Sequence, residues 1–192
     1  MKRIIPCSLI LSAIALSACA PSTPATPEQT ITDPLEMEET MSIELTSNAF
    51  KQGQPIPEKY SCKGEDVSPA LAWGEPPTGT QSFALIMDDP DAPVGTWDHW
   101  ILFNIPASAR GLPESFPANE THPDGSMSGK NSWGRMGYGG PCPPGGTHRY
   151  FFRLYALDEM LAISAGASKG ELEKAMVGHI LAHGELMGTF TK

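Results

Sequence analysis

The chain has 192 residues, four of them Cys, and a formal net charge of −9. That length suits one domain with a sizeable core. A chain this acidic has no broad positive field for holding nucleic acid or an anionic lipid surface, so any anion site must be local.

Met1–Ala18 reads as an export signal: Lys2 and Arg3, then an apolar stretch from Ile4 to Leu16. It is too short for a convincing transmembrane helix. It ends Leu16-Ser17-Ala18-Cys19, which resembles the lipobox of bacterial lipoproteins. The resemblance makes Cys19 the lipidated first residue of the mature chain, carrying palmitate-type acyl chains. An ordinary signal peptide with an incidental Cys is the alternative. Ala20 rather than Asp follows Cys19, which by the bacterial sorting rule favours the outer membrane. Residues 19–41 are rich in Pro, Thr and Glu and poor in apolar residues, and read as a disordered acidic tether. Six acids (Glu28, Asp33, Glu36, Glu38, Glu39, Glu44) precede Lys51, the first base after the signal.

The domain is expected over 42–192. Ser42 to Ser47 alternates like a first strand. Ser68 to Trp73 resembles a known family's strand entering the core, with Trp73 inward. Pro76-Pro77-Thr78-Gly79 makes a turn, and the unbroken apolar run Ser82–Met87 suggests a strand buried on both faces. Asp89-Pro90-Asp91-Ala92-Pro93 follows it, then Trp97-Asp98-His99-Trp100 leads into the apolar run Ile101–Ile105. Residues 106–136 show no periodicity; a loop this long implies function and is expected to pack around the mouth of a site.

Tyr138 to Tyr150 reads Y-G-G-P-C-P-P-G-G-T-H-R-Y. Four Gly and three Pro exclude a helix or a central strand and make a stiff loop that lets backbone approach a ligand. Tyr150 then opens an alternating strand, placing His148 and Tyr150 where loop meets sheet. Ser168-x-x-Glu171 is a capping-box signal. Leu172, Ala175, Met176, His179 and Ile180 fall on one helical face, with Gly184 ending the helix and Glu185–Thr191 a short closing strand. The pattern is mainly β: an antiparallel β-sandwich-like core with a C-terminal helix packed on it.

D-P-D-A-P, then an aromatic with H-W, then G-P-x-P-P-x-G-x-H-R-Y, resembles the phosphatidylethanolamine-binding protein family, in particular its bacterial Raf kinase inhibitor-like branch. The resemblance runs from about Ser42 to the C-terminus and implies the same fold. It also implies a pocket for a phosphate-like anion or a phospholipid headgroup, formed by Asp89, His99, His148 and Tyr150 with Trp97, Pro143 and Pro144 as walls. The chemistry agrees in part. Two His and a Tyr hydroxyl can donate, and Gly-rich backbone can offer amides. Asp89 would accept from a His and favour its protonated form. Its carboxylate is therefore expected to outweigh burial and raise the His pKa. Cys142 departs from the family's eukaryotic members, and its side chain would shrink the pocket.

Other readings remain open. Asp89 or Asp91 could cap turns, and His99 could be a satisfied core His. Arg149 points opposite to His148 and Tyr150 and suits an ion pair. Trp73, Trp97, Trp133 and Tyr155 are by default core residues. With Cys7 in the signal and Cys19 lipidated, Cys62 and Cys142 either form one disulfide or stay separate buried thiols. His179 and His183 have a zinc-compatible helical spacing without the Glu of H-E-x-x-H, so neither metal nor cofactor is expected. No G-x-S-x-G elbow occurs, although Ser126, Ser128 and Ser132 precede the loop. The expected function is a lipid-anchored envelope binding protein. The alternatives are a protein-interaction or inhibitor module of unknown partner, or a hydrolase using the Asp/His pocket.

Overall fold

The computed structural model describes residues 41–192; the signal, Cys19 and nearly all of the tether lie outside the described residues. Two sheets and one helix form three layers. The large sheet has the order β1-β9-β8-β4-β5-β7: β1 Met41–Ser42, β9 Ile180–Thr191, β8 Thr147–Leu157, β4 Ser82–Asp89, β5 Trp97–Pro106 and β7 Met127–Ser128. All its pairs are antiparallel except β1 with β9. The small sheet is β2 Leu45–Ser47, β3 Leu71–Trp73 and β6 Gly111–Leu112. The fold is mainly β with a helix near the C-terminus, as the sequence pattern predicts.

Strand β4 explains the layering. All eight of its residues are buried, because each face of the large sheet is covered. Phe83, Leu85 and Met87 face the small sheet and pack with Trp73, Leu71, Leu112, Phe152 and Leu154. Ala84 and Ile86 face the other way, against Leu161, Leu172 and Met176 of the helical layer. Side chains alternate across a strand, so one apolar run serves two cores.

Three elements differ from expectation. The first strand is split. Ser42 belongs to the large sheet and Leu45 to the small one, with Ile43 still bonded to His183 of β9. Helix α1 spans only Lys169–Met176. Its Ser168–Glu171 capping box forms as expected, but Gly178 has a φ of +83°, a left-handed conformation suited to ending a helix early. The chain then runs from Ile180 as a twelve-residue strand along β8; sheet pairing overrides the helical spacing there. Gly184 lies inside this strand, where a Cβ would fall 2.2 Å from the Ile43 carbonyl oxygen. His179 pairs with Asp158 and Glu159 instead of facing His183 across a helical turn. Among the described residues no cluster of three or more His, Cys, Asp and Glu could hold a metal ion, and no helix is long and apolar enough to cross a membrane.

Candidate functional site

Residues of β4, β5 and two loops meet at a cleft of about 190 Å³ lined by Asp89, Trp97, His99, Trp133, Cys142 and Pro144, with Ala92, Pro93 and Val94 at its edge. A bulge creates the lining. In β5, Trp100 pairs with Met87 but Asp98 pairs with Asp88, so His99 is an extra residue with no partner in β4. A bulge bends its strand and re-aims side chains. In a regular strand, residues three apart face opposite sides. Here Trp100 reaches the core between the sheets and Trp97, opposite Asp89, reaches the cleft beside that same face. Asp88 and Asp98 point to the helical side, where both approach Lys169, at 2.6 and 3.5 Å.

Asp89 holds the site together. One oxygen accepts from the Asp91 amide at 2.8 Å, and the other from His148 Nδ1 at 2.7 Å. Asp89 thus makes the turn cap that either acid could have made, and orients a His as well. Asp91 instead binds Arg149, through Nε at 2.9 Å and Nη2 at 2.7 Å. The Arg149 hydrogen bonds outweigh partial burial and hold the Asp91 carboxyl down to about 2.

His99 is 2% exposed. Its Nδ1 donates to the Gly139 carbonyl at 2.6 Å, and its own carbonyl accepts from the Gly139 amide. Its ring meets Tyr150 and Trp133 edge to face, at 5.2 and 5.0 Å between centroids. The carboxylate partner is on His148, not His99. Burial pushes the His99 pKa below its ordinary value, outweighing the hydrogen bond to Gly139 and the charge of Asp89. For His99 the expected upward shift is therefore reversed: desolvation wins because the carboxylate is not in contact. Nuclear magnetic resonance titration of the imidazole should give a midpoint below ~6.5, the unperturbed value. A midpoint above it would mean that the charge of Asp89 dominates.

Tyr150 is fully buried and its hydroxyl has no hydrogen-bond partner; the Trp97 Nε1–H is likewise buried and unpartnered. Burial first, then the charge of Asp89, raises the Tyr150 pKa well above the ordinary range, so the hydroxyl stays protonated. An unmet buried donor costs about 1–3 kcal/mol.

The loop Gly139–Gly146 is braced. Tyr138 donates its hydroxyl to the Tyr60 carbonyl, the Gly140 amide donates to Asp66 Oδ1, and the Cys62 amide donates to the Pro141 carbonyl. Cys62 and Cys142 are joined by a disulfide with Cα atoms 5.4 Å apart. Lys192 Nζ donates to the Pro144 carbonyl from the C-terminus. Pro144 lines the cleft, whereas Pro143 is buried outside its lining.

Trp133 is the residue that sequence reasoning missed. It is 42% exposed, not core, and forms one wall of the cleft. Asn131 presents it, accepting from the Trp133 and Arg135 amides, and Ser132 is bonded twice to the backbone of Asp98. Gly139 lies beneath it, since a Cβ there would fall 2.6 Å from its ring. The one available signal was the position of Trp133 in the loop that leads into Tyr138. The three serines are occupied elsewhere. Ser126 donates to Asp124, the fully buried Ser128 bonds His122, and the Ser132 hydroxyl accepts from Asp98.

The phosphatidylethanolamine-binding protein family model matches residues 46–191. A UPF0098 protein of Methanothermobacter thermautotrophicus is 49% identical over 150 residues, covering 78% of this chain and 99% of the relative. One from Aquifex aeolicus is 47% identical over 153 residues, covering 78% and 89%. Among solved structures, a putative phosphatidylethanolamine-binding protein homologue of Chlamydia trachomatis superposes with a TM-score of 0.72 at 42% identity, over 79% of this chain and 98% of that one. Escherichia coli YbcL, described as a member of the mammalian family, gives 0.72 at 31% identity over 79% and 99%. With the family model spanning the described domain and relatives of this identity covering almost their whole length, the chain belongs to the phosphatidylethanolamine-binding protein family.

Proposed function

We propose that this is a lipid-anchored envelope binding protein whose cleft takes a phosphate-like group, free or on a headgroup. One observation carries the reading. The buried Tyr150 hydroxyl and Trp97 Nε1–H make no hydrogen bond within the protein. Trp97 lines a small cleft walled by Gly-Pro loop and aromatic rings, and Tyr150 packs edge to face on His99, which also lines it. Phosphoryl oxygens would satisfy both donors. Anchoring rests on Leu16-Ser17-Ala18-Cys19. The 22 residues from there to Met41 would let the domain reach roughly 70 Å from the bilayer when extended.

Calorimetry with phosphoethanolamine and with inorganic phosphate, on protein purified without phosphate, tests the cleft. A hydrogen bond to a charged group contributes about 1.5–3 kcal/mol. Tyr150→Phe, which removes only the hydroxyl, should therefore weaken binding roughly tenfold or more. Unchanged affinity in that variant would sink the reading. Steady release of product from phospho- or acyl esters, abolished by His148→Ala, would replace it with a hydrolase. Cys19→Ser should move the protein out of the membrane fraction; a wild-type protein already soluble would remove the anchor.

A further inference from the structure

We infer that the Cys62–Cys142 disulfide is a redox latch on the wall of the cleft. A dithiol reductant opens it, the wall loosens, and the cleft weakens its hold on an occupant. The last step rests on the binding reading above; the first two do not.

Position sets this bond apart from a buried staple. Both cysteines are exposed, and Cys142 belongs to the lining of the cleft. Exposed disulfides are the ones that reductants reach and that serve regulation. Lys63 follows Cys62 in the chain, and Lys192 is bonded to the Pro144 carbonyl, two residues beyond Cys142. Positive charge to either side favours the approach of an attacking thiolate.

The loop is held differently along its length. Residues 138–141 are bound by hydrogen bonds: Tyr138 to Tyr60, Gly139 to His99 in both directions, Gly140 to Asp66, and the Pro141 carbonyl to the Cys62 amide. These bonds do not involve the sulfur atoms. Residues 142–146 are held at one end by the disulfide. At the other end the Lys192 amide donates to the Gly146 carbonyl and its Nζ to the Pro144 carbonyl. Lys192 is itself exposed. A Cβ on Gly145 or Gly146 would meet nothing within 4 Å, so packing does not fix this stretch, and two glycines give it wide conformational freedom. Cutting the S–S bond therefore frees Cys142–Gly146 while residues 138–141, His99 and the sheets stay in place. One fold with two states of one wall is what a thiol switch requires.

The exchange balances. A thiolate of the reductant attacks the Cys62 sulfur, the S–S bond breaks, and a mixed disulfide forms. Cys142 leaves as a thiolate and takes a proton. The second thiol of the reductant then displaces Cys62, which is protonated in turn. Two electrons and two protons pass to the protein, and the reductant ends as its own disulfide. A loosened wall must be reordered each time the cleft fills, so preorganisation is lost. A loss of about tenfold in affinity is the scale of ordering one loop residue.

The test compares three forms of the full chain: oxidised, reduced with dithiothreitol, and the double variant Cys62→Ser/Cys142→Ser. Alkylation without denaturant, read on the peptides that carry Cys62 and Cys142, should find both thiols after reduction. A bond that opens only in denaturant would overturn the inference. In hydrogen exchange, the amides of Cys142, Gly145 and Gly146 should exchange at least about tenfold faster in the reduced protein, with Gly139 and Gly140 within about threefold of the oxidised form. The double variant should match it at Gly145 and Gly146. Equal rates at these positions would overturn the inference, and so would a general acceleration across the domain, which would mean unfolding. Calorimetry with phosphoethanolamine should find both open forms about tenfold weaker than the oxidised one, and reoxidation should restore the affinity. Equal affinity in all three would overturn the control of binding and leave the phosphate-like reading in place. No binding even by the oxidised form would remove that reading, and the latch would then stand or fall on the exchange rates.

Discussion

Replacing Cys62 and Cys142 together by Ser should lower the free energy of unfolding by about 4 kcal/mol. The bond spans 80 residues of sequence, and closing a loop of that length removes much of the freedom of the unfolded chain, an effect of about 4–5 kcal/mol in the chain-entropy model and about 2–5 in practice. Whole-domain stabilities run about 5–15 kcal/mol, so the loss is a large share. The native state should nonetheless survive without denaturant. Three hydrogen bonds tie the same loop to the segment 60–66, from Tyr138 to Tyr60, Gly140 to Asp66 and Cys62 to Pro141. Urea unfolding followed by tryptophan fluorescence, oxidised protein against the double variant, gives the number. A midpoint unchanged between the two would mean that the hydrogen bonds alone set the loop, with no contribution from the crosslink.

Asp88→Ala should cost about 3 kcal/mol, the lower end expected for breaking a buried ion pair. Asp88 is 2% exposed and accepts from both Arg153 and Lys169. Their side chains are 29% and 20% exposed, so water would recover part of their hydration. That partial exposure places the estimate low in the range. Glu185 would still hold Arg153, and Asp98 would still lie near Lys169. Asp88→Asn keeps an acceptor and should cost less. Because Asp88 and Asp89 point to opposite faces of β4, the folded Asp88→Ala protein should bind phosphoethanolamine within about threefold of wild type, well inside one tenfold step of 1.4 kcal/mol. A stability loss under about 1 kcal/mol would show that Lys169 and Arg153 are adequately solvated without their acid.

The central strands were legible because their signal is local. The apolar run 82–87 and the alternation after Tyr150 are patterns a strand between two layers must show, and they correspond to β4 and β8. The capping box was legible for the same reason. The long last strand was not. Leu172 to Ile180 carries a helical spacing, and only the left-handed Gly178 and the ladder with β8 decide otherwise. The split of the first strand depends on which sheet each half finds, a matter of tertiary contact. Family motifs pointed to Asp89, His99, His148 and Tyr150; Asp89 and His99 line the cleft, while His148 and Tyr150 contact those two from outside its lining. Which His meets the carboxylate was beyond the sequence. The aim of His99 depends on a one-residue bulge at that position, which period-two reasoning cannot see. Trp133 was hidden because its neighbours are set by Asn131 and Ser132 turns, not by a periodic element.

The place of the last strand ties the two ends of the domain together. Strand β9 lies between β8 and β1. The segment near residues 53–56 also docks on it, through the Gly53 amide to the Met187 carbonyl and the Ile56 amide to the Thr189 carbonyl. Met41–Ile43 and the segment near 53–56 therefore find these backbone partners only in the final dozen residues, whereas Leu45–Ser47 pairs with β3. Contacts this distant in sequence form slowly. A chain lacking those residues would present the β8 edge unpaired, a template on which a strand of another copy can add.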